Sequence, residues 1–287
     1  MKKKGIILFV MLFSLFFVLL QTSSIFAEEQ LPVYLRDRGT GIATSMFGTY
    51  VRPGELLIYP FVEYYHDDDA EYSPDELGYG DDIDYRGKFR GTEALLFIGY
   101  GLNEHWAFEF EMAFMQASQE KSDKDTSSMP DKVEASGLGD VQGQVRYRWC
   151  KENEKRPEVF SYFETVFPTV DKESDEVLIG TSDWEFKLGV GMTKGFSWGT
   201  MTLRVSGEHD KAEDETEFGE TAIEYLKRIN PKWRVFLAVE GAQDEWECIP
   251  ELQWHFRPNM FLKLNNAVGL TPKAEDWAPV VGIMISF

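Results

Sequence analysis

The sequence predicts an all-β fold, a transmembrane antiparallel β-barrel of about twelve strands in up-and-down order. Three observations point there. The chain ends Ala278-Pro-Val-Val-Gly-Ile-Met-Ile-Ser-Phe287, and Phe287, Ile285, Ile283 and Val281 share one face of a strand. Alternating runs of about ten to twelve residues recur, with interruptions that are by turns long and short, as in outer-membrane barrels. Aromatic residues make up 15% of the 287 residues, and Trp106, Trp149, Trp198, Trp233 and Trp246 stand at the ends of runs, like an interfacial girdle.

The elements follow in order. Lys2, Lys3 and Lys4 form a basic start, an uncharged apolar stretch reaches about Leu20, and Ile25 and Ala27 suit a signal-peptidase site. Residues 1–27 therefore read as a signal peptide for Sec-type export. No cysteine follows Ala27, which argues against a lipoprotein. Residues 28–53 do not alternate cleanly and read as an N-terminal arm or a plug folded into the lumen. They include Arg36-Asp-Arg-Gly-Thr-Gly41 and Thr44-Ser-Met-Phe-Gly48.

Residues 54–287 read as the barrel. The first strand is Glu55–Tyr65, followed by a long polar loop from His66 to about Arg90. The second and third, Thr92–Leu102 and Trp106–Ala117, flank the short turn at Asn103. The fourth, fifth and sixth are Leu138–Trp149, Glu158–Pro168 and Asp183–Thr193. The seventh, eighth and ninth are Trp198–Glu208, Phe218–Arg228 and Trp233–Ala242. Trp246–Phe256, Met260–Leu270 and the terminal run complete the set. Both termini then fall on the short-turn, periplasmic side.

Alternation is clear in several runs. Trp106, Phe108, Phe110, Met112 and Phe114 oppose Glu109 and Glu111. In a soluble sandwich such an apolar face points inward; in a membrane barrel it meets lipid and the charged face lines the lumen. The strand length, the aromatic girdle and the apolar terminus favour the membrane.

The charge is −20, which disfavours nucleic acid as a partner and leaves divalent cations and cationic solutes open. The topology sets Cys150 and Cys248 near opposite ends of the barrel, so both read as free thiols.

The lumen-facing charges are the candidate functional residues. They include Glu109, Glu111, Arg146, Arg148, Glu164 and Glu185, and, further along, Lys187, Arg204, Arg234, Glu240 and Lys263. Either they line a narrow pore as a selectivity set, or they pair across it and close it. The polar loop carries Asp67, Asp68 and Asp69, candidate calcium ligands or simply a solvated acidic loop bridged by divalent cations to lipopolysaccharide. Phe287, Ile285 and Ile283 read as the signal for the barrel-assembly machinery.

Gly137-Leu-Gly-Asp140 leads into Val141-Gln-Gly-Gln-Val-Arg-Tyr-Arg-Trp149. The glycines suit a bulge or close backbone approach, and Asp140 begins a lumen-facing series. This opening resembles that of a family of outer-membrane transporters labelled as the MetA-pathway of phenol degradation type, over about Gly54 to Phe287. The resemblance implies passage of small, often hydrophobic compounds.

The expected protein is thus a passive channel in the outer membrane of a Gram-negative-type bacterium. Its partners would be outer-membrane lipid, lipopolysaccharide, the assembly machinery and a small-molecule solute. One alternative is a closed structural or binding barrel with acidic external loops. Another is an outer-membrane hydrolase, although none of His66, His105, His209 and His255 has a recognisable nucleophile context. No cofactor and no enzymatic activity are expected.

Overall fold

The structure, a computed structural model, describes residues 31–80, 83–169, 178–211 and 215–287. The proposed signal peptide lies outside the described residues. A short 3-10 turn at Val33–Leu35 precedes two short strands, β1 (Ile42–Ala43) and β2 (Tyr50–Val51), which pair only with each other. Then come β3 (Leu56–Tyr72), β4 (Tyr85–Gly101), β5 (Trp106–Glu120) and β6 (Lys132–Cys150). These are followed by β7 (Glu158–Phe167), β8 (Glu185–Gly195), β9 (Thr200–Asp210) and β10 (Glu215–Asn230). The last four are β11 (Trp233–Ala242), β12 (Glu245–Arg257), β13 (Met260–Gly269) and β14 (Trp277–Ser286). Strands β3 to β14 form one closed antiparallel barrel of twelve strands.

The barrel closes between β14 and β3, with Ile285 opposite Ile58 and Gly282 opposite Phe61. Phe287 and Leu56 exchange backbone hydrogen bonds at 2.9 and 3.2 Å. The terminal residue is thereby part of the seam, and closure leaves no strand edge for the bilayer to desolvate.

The outward face is apolar. Phe114 is 60% exposed and Leu188 65%, whereas their inward neighbours Ala113 and Gly189 are buried. A continuous exposed apolar surface of this kind belongs in lipid. All eight tryptophans lie at or within a few residues of strand ends. Trp198–Tyr225 and Trp233–Trp254 stack at the end carrying the short turns, with ring centroids 6.0 and 5.9 Å apart. Cys150 and Cys248 are free thiols.

Several strands are longer than alternation alone foretells: β3 and β4 have 17 residues, β6 has 19, β10 has 16 and β5 has 15. Much of the stretch expected as a loop from His66 to Arg90 is therefore strand, paired as far as Tyr72 opposite Tyr85. The acidic residues read as loop because of their charge. In the fold Arg86 meets Asp69 at 2.9 Å and Arg90 meets Asp68, so cross-strand cations hold the extension together.

The segment from Asp37 to Val51 lies inside the barrel, with Asp37, Arg38, Ile42, Ala43, Thr44, Thr49 and Val51 buried. Ile42 and Val51 are wholly buried and pack against Leu57, Tyr59, Phe97 and Met284, which point inward from β3, β4 and β14. Each such side chain contributes about 1.5–3 kcal/mol by leaving water. Two glycines let the segment turn. Gly48 has φ +60°, and a side chain there would strike Gln253, Phe236 and Leu226. Gly41 has φ +128°, and a Cβ there would meet the Val51 carbonyl oxygen at 2.8 Å.

Candidate functional site

The lumen is organised in three tiers along its axis. At the short-turn end, basic and acidic side chains fasten the internal segment to the wall. Arg38 is 3.1 Å from both Glu152 and Glu158, and all three are buried. Burial works against the Arg38 charge, but Glu158, Tyr50 and Glu152 outweigh it and raise its pKa further. Arg148 reaches Glu158 at 3.2 Å and Glu104 at 3.0 Å, and donates to the Gly41 carbonyl. Asp37 accepts from the Arg228 backbone N–H at 3.1 Å. A cavity of about 390 Å³ sits here, lined by Arg38, Arg148, Glu152 and Glu158 among others.

In the middle tier the charges pair. Arg146, fully buried, lies 2.8 Å from Glu109 and donates to the Ala43 carbonyl at 3.0 Å. Its guanidinium also faces the rings of Tyr162 and Phe160, at 4.9 and 5.5 Å. Lys263 pairs with Glu251 at 3.2 Å and donates to the Phe47 carbonyl at 2.9 Å. Arg204 engages three carboxylates, Glu220, Glu224 and Glu240, at 2.8, 2.7 and 3.0 Å. Lys187 meets Glu208 at 3.0 Å and Glu164 at 3.7 Å. A charge withdrawn from water is expensive unless paired, and these contacts supply the pairing.

The tier toward the long loops is open. A cavity of about 270 Å³ rests on Met46 and Phe47 and is walled by Tyr59, Phe61, Leu95, Glu93 and Glu111 among others. A wider vestibule of about 600 Å³ lies beyond it, and the two share Glu63, Tyr65, Glu247 and Ala267. The vestibule is acidic: Asp67, Glu71, Glu245 and Glu275 join Glu63 and Glu247 on its lining, with Lys273. Burial pushes the Glu275 carboxyl up to about 8, and Glu63, Glu247, Asp67 and Glu245 push the same way. The 270 and 390 Å³ cavities share no lining residue, and the buried Ile42, Ala43 and Arg146 stand between the two tiers.

The nominated residues divide accordingly. Glu109, Arg146, Glu164, Lys187, Arg204, Glu240 and Lys263 enter the paired tier. Glu111 lines the 270 Å³ cavity, and Arg148 belongs to the fastening tier. Glu185 sits at the long-loop end of β8 opposite Asp210. Arg234 lies near the short turn of β11, opposite Gln253 and Arg228. Of the three aspartates, Asp68 comes near His66 and Asp276, but Arg90 already holds its carboxylate. Asp69 faces Arg86, and Asp67 is buried on the vestibule lining. Phe287 and Ile285 lie in the seam, and Ile283 pairs with Leu262.

Sequence reasoning missed Arg38, Ser45, Glu63, Glu93, Glu152 and Glu158. Glu152 and Glu158 flank a charged turn and looked solvated; they are buried because Arg38 comes down the lumen to meet them. Glu63 and Glu93 were legible only by parity with Tyr59, Phe61 and Phe97, in strands apolar on both faces.

A family model described as "Putative MetA-pathway of phenol degradation" matches residues 21–287. Among solved structures, the COG4313 outer membrane channel from Pseudomonas putida F1 is similar with a TM-score of 0.63 at 12% identity, over 86% of this chain and 100% of that one. That likeness supports an outer-membrane barrel fold. The Ralstonia pickettii toluene transporter TbuX matches at a TM-score of 0.44 and 9% identity, over 88% of this chain and 99% of that one, which is too low to weigh. No curated protein matches the sequence.

Proposed function

The chain belongs to the family described as "Putative MetA-pathway of phenol degradation", and on that premise we propose that it is a passive outer-membrane channel for small solutes, apolar ones included, with residues 31–53 as its plug. The observation that carries this reading is the layered lumen. Two cavities flank a short internal segment whose own strands, β1 and β2, pair with each other and not with the wall. The segment is held by side-chain contacts such as Arg38–Glu158 and Ser45–Glu109, which can exchange without unpicking a barrel strand. The proposal includes Sec-type export through residues 1–27, and assembly from the terminal strand.

The test is conductance of the purified protein in planar bilayers. Wild type should give small, discrete steps. Arg38→Ala with Ser45→Ala should widen them or lengthen the open time. A protein that gives no steps in either form sinks the channel and favours the closed barrel, for which the buried Arg38–Glu152–Glu158 triad is the supporting observation.

A further inference from the structure

The two sides of the lumen differ in how their carboxylates are paired. Toward β7–β11, Glu164, Glu208, Glu220, Glu224 and Glu240 each reach a cation, Arg204 or Lys187. Around the 270 Å³ cavity, Glu63, Glu93, Glu111, Asp140 and Glu247 have no ion-pair partner among the described residues. The basic side chain on that lining, Lys263, is committed to Glu251. Glu93 is only 8% exposed, and one of its oxygens accepts from the Tyr65 hydroxyl at 2.7 Å. A buried carboxylate with one neutral donor still lacks a counter-charge.

The Gly137–Asp140 opening builds this wall. The β5–β6 register slips between Met112 and Phe114, opposite Leu138 and Val141. The bulge delivers Asp140 to the cavity. Gly139 is buried beside it, and a Cβ there would come 3.3 Å from Glu93 Oε1 and from Ala113. The glycine thus leaves Glu93 its room.

Beside these carboxylates the lining is apolar and aromatic: Tyr59, Phe61, Leu95 and Val280, with Phe47 from the internal segment. The same rings already serve an ammonium, since Lys263 Nζ sits 5.3 Å from the Tyr59 ring and 5.9 Å from Phe47. The volume suits a modest ligand, because a cavity of about 150 Å³ already admits a benzene ring.

We infer that this cavity binds a small organic cation, a protonated amine on an apolar body of about one ring. The inference rests on the channel reading and names its preferred solute class. The ammonium lies toward Glu93, Glu111 and Asp140, and the body lies on Tyr59 and Phe61. The acidic vestibule concentrates such cations at the mouth.

The test is calorimetric binding to the purified, detergent-solubilised full chain, with benzylammonium, benzyl alcohol and benzoate as probes. Benzylammonium should bind about tenfold more tightly than benzyl alcohol, and benzoate should not bind. Glu93→Gln with Glu111→Gln should weaken the amine about tenfold and leave the alcohol within about twofold, which also verifies the fold. Should that double variant fail to fold, Asp140→Asn on the exposed bulge gives the same reading, with the amine weakened and the alcohol unchanged. Equal binding of amine and alcohol overturns the inference, as does insensitivity to these substitutions. Binding of calcium alone, with the amine excluded, overturns it too. Because calorimetry needs no passage, amine binding without conductance would fail the channel reading and spare the site. Conductance without amine preference would do the reverse.

Discussion

Ser45 donates twice to one oxygen of Glu109, from its backbone N–H at 2.9 Å and from its hydroxyl at 2.6 Å. The other Glu109 oxygen faces Arg146 at 2.8 Å, and Arg146 donates onward to the Ala43 carbonyl. One wall carboxylate therefore couples the internal segment to the barrel's charge network. Glu109→Gln would leave Arg146 buried without its counter-charge, at a cost of about 3–5 kcal/mol. Ser45→Ala keeps the backbone N–H contact and loses only the hydroxyl's hydrogen bond to a charged group, about 1.5–3 kcal/mol. Thermal unfolding followed by gel mobility should rank the two in that order, with the serine variant the more conductive per folded molecule.

Arg204 offers a sharper stability test. Among the described residues it is the cation paired with Glu224 and Glu240, and it shares Glu220 with Lys187. Arg204→Met keeps much of the volume and strands Glu224 and Glu240, while Glu220 keeps Lys187. The expected loss is at least about 3–5 kcal/mol at neutral pH, partly recovered in acid as those carboxyls protonate. Urea unfolding at pH 5 and pH 8 would show it.

Gly48 should tolerate no branched side chain. Its φ of +60° and the closeness of Phe236 and Leu226 oppose Gly48→Val on two counts. Since the residue lies in the internal segment, the barrel should still fold while the segment loses its seat. Protease sensitivity of residues 31–53 should rise with little change in the melting temperature.

The vestibule should respond to pH. Glu275 has its carboxyl raised to about 8 by burial and by Glu63, Glu247, Asp67 and Glu245. A folded-state pKa above the ordinary value means the protonated form is favoured by folding. That contribution is full below the ordinary carboxyl range and is lost as pH rises through about 8. Stability should therefore fall between about pH 5 and pH 9, and Glu275→Gln should flatten the fall. The titration read by thermal unfolding decides this; an unchanged slope in the variant contradicts it.

Deleting Phe287 removes both backbone hydrogen bonds to Leu56 and opens the seam. Yield of folded barrel should drop more than conductance per channel. In vitro refolding into lipid vesicles separates this local effect from recognition by assembly factors.

Much of the barrel was legible from residue order. The run Trp106–Phe114 alternates because lipid lies on one side and a polar lumen on the other. Strands β3, β4 and β14 blur that signal, since Tyr59, Phe97 and Met284 face inward yet are apolar. The reason is the internal segment, which replaces water at those positions with Ile42 and Val51. The charged lumen set could be named by parity, but its partition could not. Whether a carboxylate finds a cation depends on strands that are neighbours across the sheet, as Arg204 of β9 is to Glu224 of β10. Glu93 differs from Glu109 only in what stands opposite, and the sequence does not record that.

The central claim is passage through the lumen. It is tested most directly by flux of labelled phenol into vesicles whose outer leaflet is lipopolysaccharide, which slows diffusion of apolar solutes through the lipid itself. With the protein incorporated, uptake should rise in proportion to protein and to the phenol gradient, cease when the gradient is gone, and increase further in the Arg38→Ala, Ser45→Ala variant. Uptake no faster than in protein-free vesicles, for wild type and variant alike, would contradict it.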